Sequence, residues 1–365
     1  MNSTQRLHAL GQSLWLDNIS RRLLDEGTLQ RYIDEYSVTG LTSNPTIFDE
    51  AIGAGDTYDA GIRVKAGAGL SGEALFVELA LEDLRRAADI FKPIFDATDG
   101  VDGWVSMELS PLLADDSAGS IESATQIYRQ AGRANLFVKI PGTPAGIPAI
   151  EESIFAGVPV NVTLLFSREQ YLAAAEAYMR GIERRLNAGL DVRVGSVASL
   201  FVSRWDRAVG DKMPPPLQNK LGIAIAARTY RAYRKLLTSA RWRQLAAAGA
   251  QPQRLLWGST GTKDPALSPS LYVEALAAPD TINTMPEKTL RAFAERGQAV
   301  SVLAIDGADD ESLLKQFAQA GVDVEQLAVQ LQSEGAQAFV KSWTSLMQRI
   351  SDKSEMLADS ASSSR

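Results

Sequence analysis

The sequence predicts an α/β fold, a (β/α)₈ barrel with additional helices that include a C-terminal helical extension. Eight short runs of β-type residues alternate with longer segments of helical periodicity. A strand followed by a helix, repeated eight times, is the pattern of a parallel barrel. The 365 residues exceed the roughly 250 that are typical of such a barrel, so we expect additions. A doubly wound open sheet is the alternative, although no Gly-x-Gly-x-x-Gly turn supports a dinucleotide-binding version of it.

The strands are predicted from short apolar runs that end in polar or turn residues. In chain order they span 13–17, 37–43, 103–109, 135–140, 159–164, 193–200, 254–258 and 281–284. Apolar residues at helical spacing predict helices at 19–35, 71–92, 120–132, 145–156, 168–188, 217–248, 266–277 and 287–296.

Extra segments lie between the strands and after the last one. Residues 49–69 are rich in glycine and alanine, and two further helices are predicted at 309–321 and 323–350. We therefore expect 1–300 to form the barrel domain and 301–350 a helical extension of the same domain. The polar, serine-rich residues 351–365 are predicted to be a disordered tail.

Composition excludes several function classes. The net charge of −7 argues against general nucleic-acid binding, which needs a basic face. The chain has no cysteine, and its one histidine, His8, lies in a polar segment where we expect it at the surface. We therefore expect no metal and no cofactor, and chemistry from lysine, carboxylates, hydroxyls or amides. No long apolar stretch and no signal-peptide order is present, so we expect a cytoplasmic protein without membrane contact.

Polar side chains cluster at the C-terminal ends of seven predicted strands. Residues two apart in a strand share a face, so the paired positions would all point into the barrel. Active sites of such barrels occupy this end. The residues concerned are Asp17, Thr42, Asn44, Ser106, Glu108, Lys139, Asn161, Thr163, Ser199 and Ser259.

Six of these residues also have an ordinary structural explanation. Asp17 stands where a helix N-cap is common, and Asn44 precedes a proline in a turn signal. Glu108 would fit a rim carboxylate paired with an arginine. Polar groups inside a barrel are often satisfied core residues or members of an ion pair, which applies to Asn161, Thr163 and Lys139.

The convergence of these residues favours one chemistry. Lys139 lies between Val138 and Ile140, and desolvation there is expected to depress the pKa of its amine. A neutral amine attacks a carbonyl and forms a Schiff base. The proton transfers then need a base, and Glu108 and Asp17 are the carboxylates available. The remaining hydroxyls and amides would hold a polyhydroxylated substrate, as in a metal-free class I aldolase.

A phosphate site is predicted beside this cluster. The segment "WGSTGTKDP" after the seventh strand is a small turn whose backbone N–H groups suit an oxyanion, with Ser259 and Lys263 in it. Arg204, after the sixth strand, would add bidentate phosphate contacts. Either cation could instead be a plain surface charge.

Three motifs make the chain resemble the transaldolase family. "GLTSNPTIF" is similar to its first signature, "LFVKIPGTPAGIPAI" to its active-lysine signature, and "VNVTLLFS" to a third block. The resemblance extends to about residue 350. It implies a (β/α)₈ barrel, circularly permuted relative to other class I aldolases. It also implies transfer of a dihydroxyacetone unit from sedoheptulose 7-phosphate to glyceraldehyde 3-phosphate, giving erythrose 4-phosphate and fructose 6-phosphate in the pentose phosphate pathway.

The resemblance also implies a role for each matching residue. Lys139 takes the Schiff-base position, Asp17 that of the acid–base residue of carbon–carbon cleavage, and Glu108 with Thr163 that of the pair that positions the catalytic water. The implied substrate contacts are Thr42, Asn44, Asn161 and Ser199. The implied phosphate contacts are Arg204 and Ser259.

One departure from the family pattern concerns the phosphate end. Many short transaldolases have an arginine two residues after the serine that matches Ser259, where this chain has Gly261. Lys263 follows and resembles the Ser-Thr-Gly-x-Lys turn of the longer branch, so we expect it to replace that arginine. Two other functions stay open: an aldolase that releases dihydroxyacetone, and an inactive sugar-phosphate-binding barrel. The expected partners are small sugar phosphates, and the expected assembly is a monomer or homodimer.

Overall fold

Eight parallel strands close into a barrel, as the sequence predicts. The computed structural model describes residues 1–262, 264–298, 302–304 and 308–362. Each strand pairs with the next along the chain, and the eighth pairs with the first. The strands are β1 Ser13–Asp17, β2 Val38–Thr42, β3 Trp104–Glu108, β4 Leu136–Pro141, β5 Val160–Leu165, β6 Ser196–Phe201, β7 Arg254–Gly258 and β8 Ile282–Met285.

The α-helices surround this barrel, and α16 is the longest of them. In chain order they are α1 Ser3–Ala9, α2 Arg21–Asp25, α3 Thr28–Tyr36, α4 Pro45–Gly53, α5 Asp59–Gly67, α6 Gly72–Ala97, α7 Ser117–Ala131, α8 Gly146–Phe155, α9 Arg168–Asn187, α10 Ser203–Val209, α11 Leu221–Leu237, α12 Ala240–Ala247, α13 Leu271–Ala275, α14 Glu287–Arg296, α15 Ala308–Gln319 and α16 Val324–Ser362. In the described part of the chain, no helix is both long and apolar enough to cross a bilayer.

Two predicted helices are each divided in two. The helix expected at 19–35 breaks at Gly27, whose φ of 66° is a left-handed conformation that glycine adopts without steric cost. The helix expected at 217–248 begins only at α11 and is interrupted before α12. There the Ser239 side chain accepts a hydrogen bond from the Trp242 backbone N–H and caps α12.

Large side chains fill the lower part of the barrel. Alternate residues point inward, and the inner layer consists of Trp15, Trp104, Phe137, Val197, Leu256 and Ile282. Gly40 makes room for this layer, because a Cβ there would lie 2.7 Å from the Trp15 ring. The opposite strand faces pack against the helices. The floor of the barrel is therefore closed by this apolar layer.

The C-terminal helix α16 packs across the helices that follow β2. Its Trp343 ring makes an edge contact with Phe76 of α6, with the ring centroids 5.3 Å apart. Arg349 pairs with Asp49 of α4 at 2.5 Å. Lys353 pairs with Asp59 of α5, also at 2.5 Å.

The prediction of a disordered tail at 351–365 was wrong for residues 351–362, which are part of α16. Leu357 is 5% exposed, and Lys353 and Leu357 continue the packed face of α16. The serine-rich composition concealed these two contacts. Residues 363–365 lie outside the described residues.

Candidate active site

Strand alternation places one polar layer above the aromatic floor. Lys139 follows Phe137 by two residues, and Asp17 follows Trp15 in the same way, so these side chains point into the barrel mouth. The predicted residues that the strands bring together here are Asp17, Thr42, Ser106, Glu108, Lys139, Asn161, Thr163 and Ser199.

Lys139 forms a buried ion pair with Glu108. The two Cα atoms are register partners on β4 and β3, and the Lys139 Nζ lies 3.2 Å from the Glu108 Oε2. The same amine donates to the Ser43 carbonyl at 3.1 Å. Both side chains of the pair are about 6–7% exposed. Val138 and Ile140 face the surrounding helices, so the barrel mouth, and not these two neighbours, desolvates the amine.

Glu108 keeps one oxygen free for a further contact. Burial raises the pKa of its carboxyl above the usual range, and the Lys139 cation opposes this rise. Its Oε1 has no hydrogen-bond partner among the described residues, and the Thr163 hydroxyl, also fully buried, has none either. Buried oxygens without partners are uncommon in proteins and often mark a functional position. The sequence resemblance pairs these same two residues.

Asp17 is held by a short chain of hydroxyls. The Thr42 Oγ1 donates to the Asp17 Oδ1 at 2.8 Å and lies 2.7 Å from the Thr284 Oγ1. A threonine hydroxyl carries one proton, so Thr284 donates to Thr42 and Thr42 to Asp17. Burial raises the pKa of the Asp17 carboxyl, while the Lys139 cation and the Thr42 hydrogen bond lower it.

Asn161 is oriented by a hydroxyl on each side. Its amide nitrogen donates to the Ser106 Oγ at 3.2 Å, and its carbonyl oxygen accepts from the Ser199 Oγ at 2.7 Å. The amide therefore has one known orientation, with the remaining N–H available. Asn44 differs, because its side-chain oxygen caps α4 by accepting from the Ile47 N–H at 3.0 Å. The Asn44 amide nitrogen and the second lone pair of its side-chain oxygen are left for another contact.

Arg204 at the start of α10 is a half-buried cation without an ion-pair partner among the described residues. Its guanidinium carbon lies 5.0 Å from the ring centroid of Phe201 and 5.9 Å from that of Phe339. Burial lowers the pKa of Arg204, and the neighbouring Arg207 lowers it further. A cation desolvated in this way favours the approach of an anion.

The other two predicted phosphate contacts have different outcomes. Ser259 has a φ of 54°, an uncommon conformation for a residue other than glycine, and its hydroxyl lies 2.9 Å from that of Ser203. Lys263 lies outside the described residues.

Sequence reasoning missed three residues of the site. Thr284 is the last residue of the predicted eighth strand and the last but one of β8, and the rule applied to the other seven strands would have found it. Ser43 contributes only its backbone carbonyl to Lys139, which no side-chain pattern reveals. Gln332 of α16 donates to backbone carbonyls after β4 and within β5. No pattern in the sequence around Gln332 indicates that it contacts the barrel strands.

Comparison with known proteins gives one consistent family. The family described as Transaldolase/Fructose-6-phosphate aldolase matches residues 14–350. A protein named Transaldolase from Parafrankia sp. (strain EAN1pec) is 43% identical, over 95% of this chain and 96% of its own length. One from Thermobifida fusca, with the same name, is 42% identical over 96% and 97%. Transaldolase 2 of Nostoc punctiforme is 37% identical over 98% and 99%. The chain belongs to the transaldolase/fructose-6-phosphate aldolase family.

Proposed function

We propose that the protein is a transaldolase that works through a Schiff base on Lys139. It transfers a dihydroxyacetone unit from sedoheptulose 7-phosphate to glyceraldehyde 3-phosphate and yields erythrose 4-phosphate and fructose 6-phosphate. The observation that supports this best is the buried Lys139–Glu108 pair, in which the Glu108 Oε1 has no hydrogen-bond partner among the described residues. The Thr163 hydroxyl, on the strand β5 that pairs with β4, has none there either. Full-length relatives that carry the name transaldolase support the same function.

Imine formation uses Lys139 and Glu108. Lys139 first passes a proton to Glu108, and the neutral Nζ attacks the C2 carbonyl of the ketose, with a second amine proton moving to the former carbonyl oxygen to give a carbinolamine. Glu108 then returns its proton to the carbinolamine hydroxyl, which leaves as water while the nitrogen lone pair forms the iminium. Burial raises the pKa of the Glu108 carboxyl, and a carboxyl that is protonated more readily can give a proton as well as take one. The free Oε1 of Glu108 and the Thr163 hydroxyl would hold the departing water, and later the water that hydrolyses the imine.

Carbon–carbon cleavage uses Asp17 as the base. Its carboxylate takes the proton of the C4 hydroxyl, the C3–C4 bond breaks, and the electron pair moves through the iminium to give an enamine. Erythrose 4-phosphate leaves, and the enamine carbon then attacks the aldehyde of glyceraldehyde 3-phosphate. Asp17 returns its proton to the new hydroxyl. Thr42 and Thr284 would fix the carboxylate for both steps.

The donors of the polar layer would bind the rest of the substrate. Asn161, fixed by Ser106 and Ser199, would contact the hydroxyls, with Asn44 contributing its amide nitrogen. Arg204 would bind the phosphate, because a half-buried guanidinium without an ion-pair partner in the described residues suits a dianion. We also propose Ser259 and Lys263 as phosphate contacts, a monomeric or homodimeric assembly, and a cytoplasmic location.

Borohydride trapping tests the proposal. With fructose 6-phosphate as donor, the reduced dihydroxyacetone adduct should map to the peptide that contains Lys139. No adduct on the folded protein would support the inactive sugar-phosphate-binding barrel instead. Product analysis without an acceptor aldehyde separates the two enzymes, because a transaldolase retains the three-carbon unit as an enamine. Free dihydroxyacetone at the rate of fructose 6-phosphate consumption would identify an aldolase.

A further inference from the structure

Gln332 connects the C-terminal helix to two strands of the active site. It lies on α16, is 8% exposed, and its amide nitrogen donates to two backbone carbonyls, those of Gly142 and Leu164, at 2.9 Å each. Gly142 directly follows β4, which carries Lys139, and Leu164 lies in β5 next to Thr163. The side chain therefore joins the ends of the two strands that carry the amine and the free hydroxyl.

The backbone between these strands is irregular where Gln332 binds. Leu164 has a φ of 58°, which is rare and strained for a leucine, and the register between β5 and β6 shifts between Val162 and Leu165. The last regular contact between β4 and β5 is the Gly142 N–H to the Thr163 carbonyl, at 2.7 Å. Beyond it, the Gln332 amide takes the place of strand pairing. Such a conformation persists only where its surroundings hold it.

The same face of α16 also reaches the proposed phosphate site. Gly335 and Phe339 follow Gln332 at spacings of three and seven residues, which lie on one side of a helix. A Cβ on Gly335 would be 2.9 Å from Leu164 Cδ2 and 3.0 Å from Arg204 Nη1. The Phe339 ring faces the same guanidinium. This face of α16 therefore touches β5 and Arg204 together.

We infer that Gln332 is a positioning residue of the reaction, acting through the carbonyls of Gly142 and Leu164 to hold Thr163 opposite Glu108. This rests on the proposed function, in which those two residues hold the water of imine formation. Gln332 touches no reacting atom. Its loss should slow imine formation and hydrolysis while leaving phosphate binding unchanged, because Gly335 and Phe339, and not Gln332, lie against the Arg204 guanidinium.

Three variants of the full-length protein test this role. Gln332→Met keeps the length of the side chain but removes both donated hydrogen bonds. Gln332→Glu replaces the donor by a carboxyl facing two carbonyl oxygens. Gln337→Met is the matched control, an exposed glutamine on the same helix. Rapid-quench borohydride trapping with fructose 6-phosphate measures imine formation. The affinity for glucitol 6-phosphate, which has the phosphate but no carbonyl, measures binding.

We expect Gln332→Met to form the imine about tenfold to a hundredfold more slowly, because small displacements of reacting groups have effects of this size. Its affinity for glucitol 6-phosphate should equal that of the unmodified chain and of the control. Gln332→Glu should show a pH-dependent defect. Facing two carbonyls, its carboxyl has a raised pKa, and once protonated it donates to one of them. The imine-formation rate of Gln332→Glu, divided by that of the unmodified chain, should thus rise as the pH falls from about 8 to about 5.5. The same ratio for Gln332→Met should not change with pH.

Wild-type imine rates in folded Gln332→Met, or equal loss of rate and affinity, would overturn the role. If Gln332→Met does not fold, Gln332→Glu decides the question alone: a ratio that does not change with pH contradicts the role, and a rising ratio supports it. Failure of the proposed function is a separate result. In that case the unmodified chain itself gives no adduct.

Discussion

The two ends of the barrel each hold a buried ion pair, and the pairs differ in how fully their hydrogen bonds are satisfied. At the N-terminal end, Arg254 lies 3.8 Å from Asp102. Asp102 accepts from Trp15 Nε1 at 2.7 Å and from the Ser13 hydroxyl. Arg254 donates to Ser13 at 2.6 Å and to two backbone carbonyls at 3.0 Å. Every charged group there has several partners.

The pair at the C-terminal end is equally buried but is incomplete. The Lys139 Nζ and the Glu108 Oε2 are 3.2 Å apart, yet the Glu108 Oε1 and the hydroxyl of Thr163, on the adjacent strand β5, have no partner among the described residues. A saturated pair is fixed and serves the fold, whereas an incomplete pair retains donors and acceptors for a ligand. The two pairs therefore differ in their unused hydrogen-bonding groups and not in burial or charge type, which is why we propose a structural role for the first pair and a chemical role for the second.

The largest effect should come from removing the amine. Lys139→Ala should abolish borohydride trapping and lower turnover by about 10⁴-fold or more, as expected for loss of a covalent nucleophile. The fold should survive, because Glu108 can take up a proton once its cation is gone. Mass mapping and circular dichroism check both points. A folded variant that still forms an adduct with fructose 6-phosphate would contradict the role of Lys139.

The next largest effects should come from the two carboxyls of the C-terminal end, and borohydride trapping should distinguish them by the adduct that each variant accumulates. Glu108→Gln should slow imine formation about 10²–10⁴-fold, the usual range for general acid–base catalysis, with little change in glucitol 6-phosphate affinity. Asp17→Asn should still form the imine but cleave it slowly. Borohydride should then trap the intact six-carbon ketose on Lys139. A three-carbon adduct from Asp17→Asn at the wild-type rate would remove Asp17 from the cleavage step.

At the N-terminal end the effect should fall on stability alone. Arg254→Met leaves the Asp102 carboxylate buried without its cation and should lower the free energy of unfolding by about 3–5 kcal/mol. The trapping rate of the folded molecules should be unchanged. Arg254→Lys keeps the charge and should lose less. Urea unfolding measures the free energy of unfolding, and borohydride trapping on the same samples measures the rate of imine formation. A slowed imine step in folded Arg254→Met would mean that the two ends are coupled.

A pH series sharpens the contrast further. Burial raises the pKa of Asp17 in the folded state, so the carboxyl is a source of instability once it ionises. Below the ordinary aspartate pKa of 3.8, the Asp17 carboxyl is protonated in both the folded and the unfolded protein. As pH rises through the raised pKa, the wild type should lose stability relative to Asp17→Asn. Urea unfolding of both proteins from acid to neutral pH measures this, and a constant difference would contradict it.

The fold was predictable because alternating strand and helix patterns are local. All eight predicted strands overlap the observed ones, and the inward residues follow from a period of two. The breaks before α3 and α12 were missed, since Gly27 and Ser239 also fit a helix interior. The helical end of α16 was missed because its stability comes from tertiary contacts, such as Lys353 with Asp59.

The site was predictable to the extent that it consists of strand-borne side chains. The structure brings the expected polar residues into one layer, but their individual roles remain proposals. Contacts made by backbone carbonyls, such as Ser43 with Lys139, leave no trace in a residue pattern. The same applies to Gln332, which reaches β5 over 168 positions of sequence. Such contacts depend on how distant segments pack, which local propensity does not encode.

The smallest effect should come from a single hydroxyl on the C-terminal side. Ser199→Ala removes the donor that fixes the Asn161 carbonyl oxygen at 2.7 Å, leaving the amide free to rotate. One such hydrogen bond contributes about 1 kcal/mol, or roughly fivefold in kcat/KM. Ser13→Ala is the counterpart at the other end and should lower stability by a similar amount without changing kcat/KM. If Ser199→Ala and Ser13→Ala lowered stability equally and neither changed kcat/KM, the polar layer would have only a structural role, like the aromatic layer beneath it.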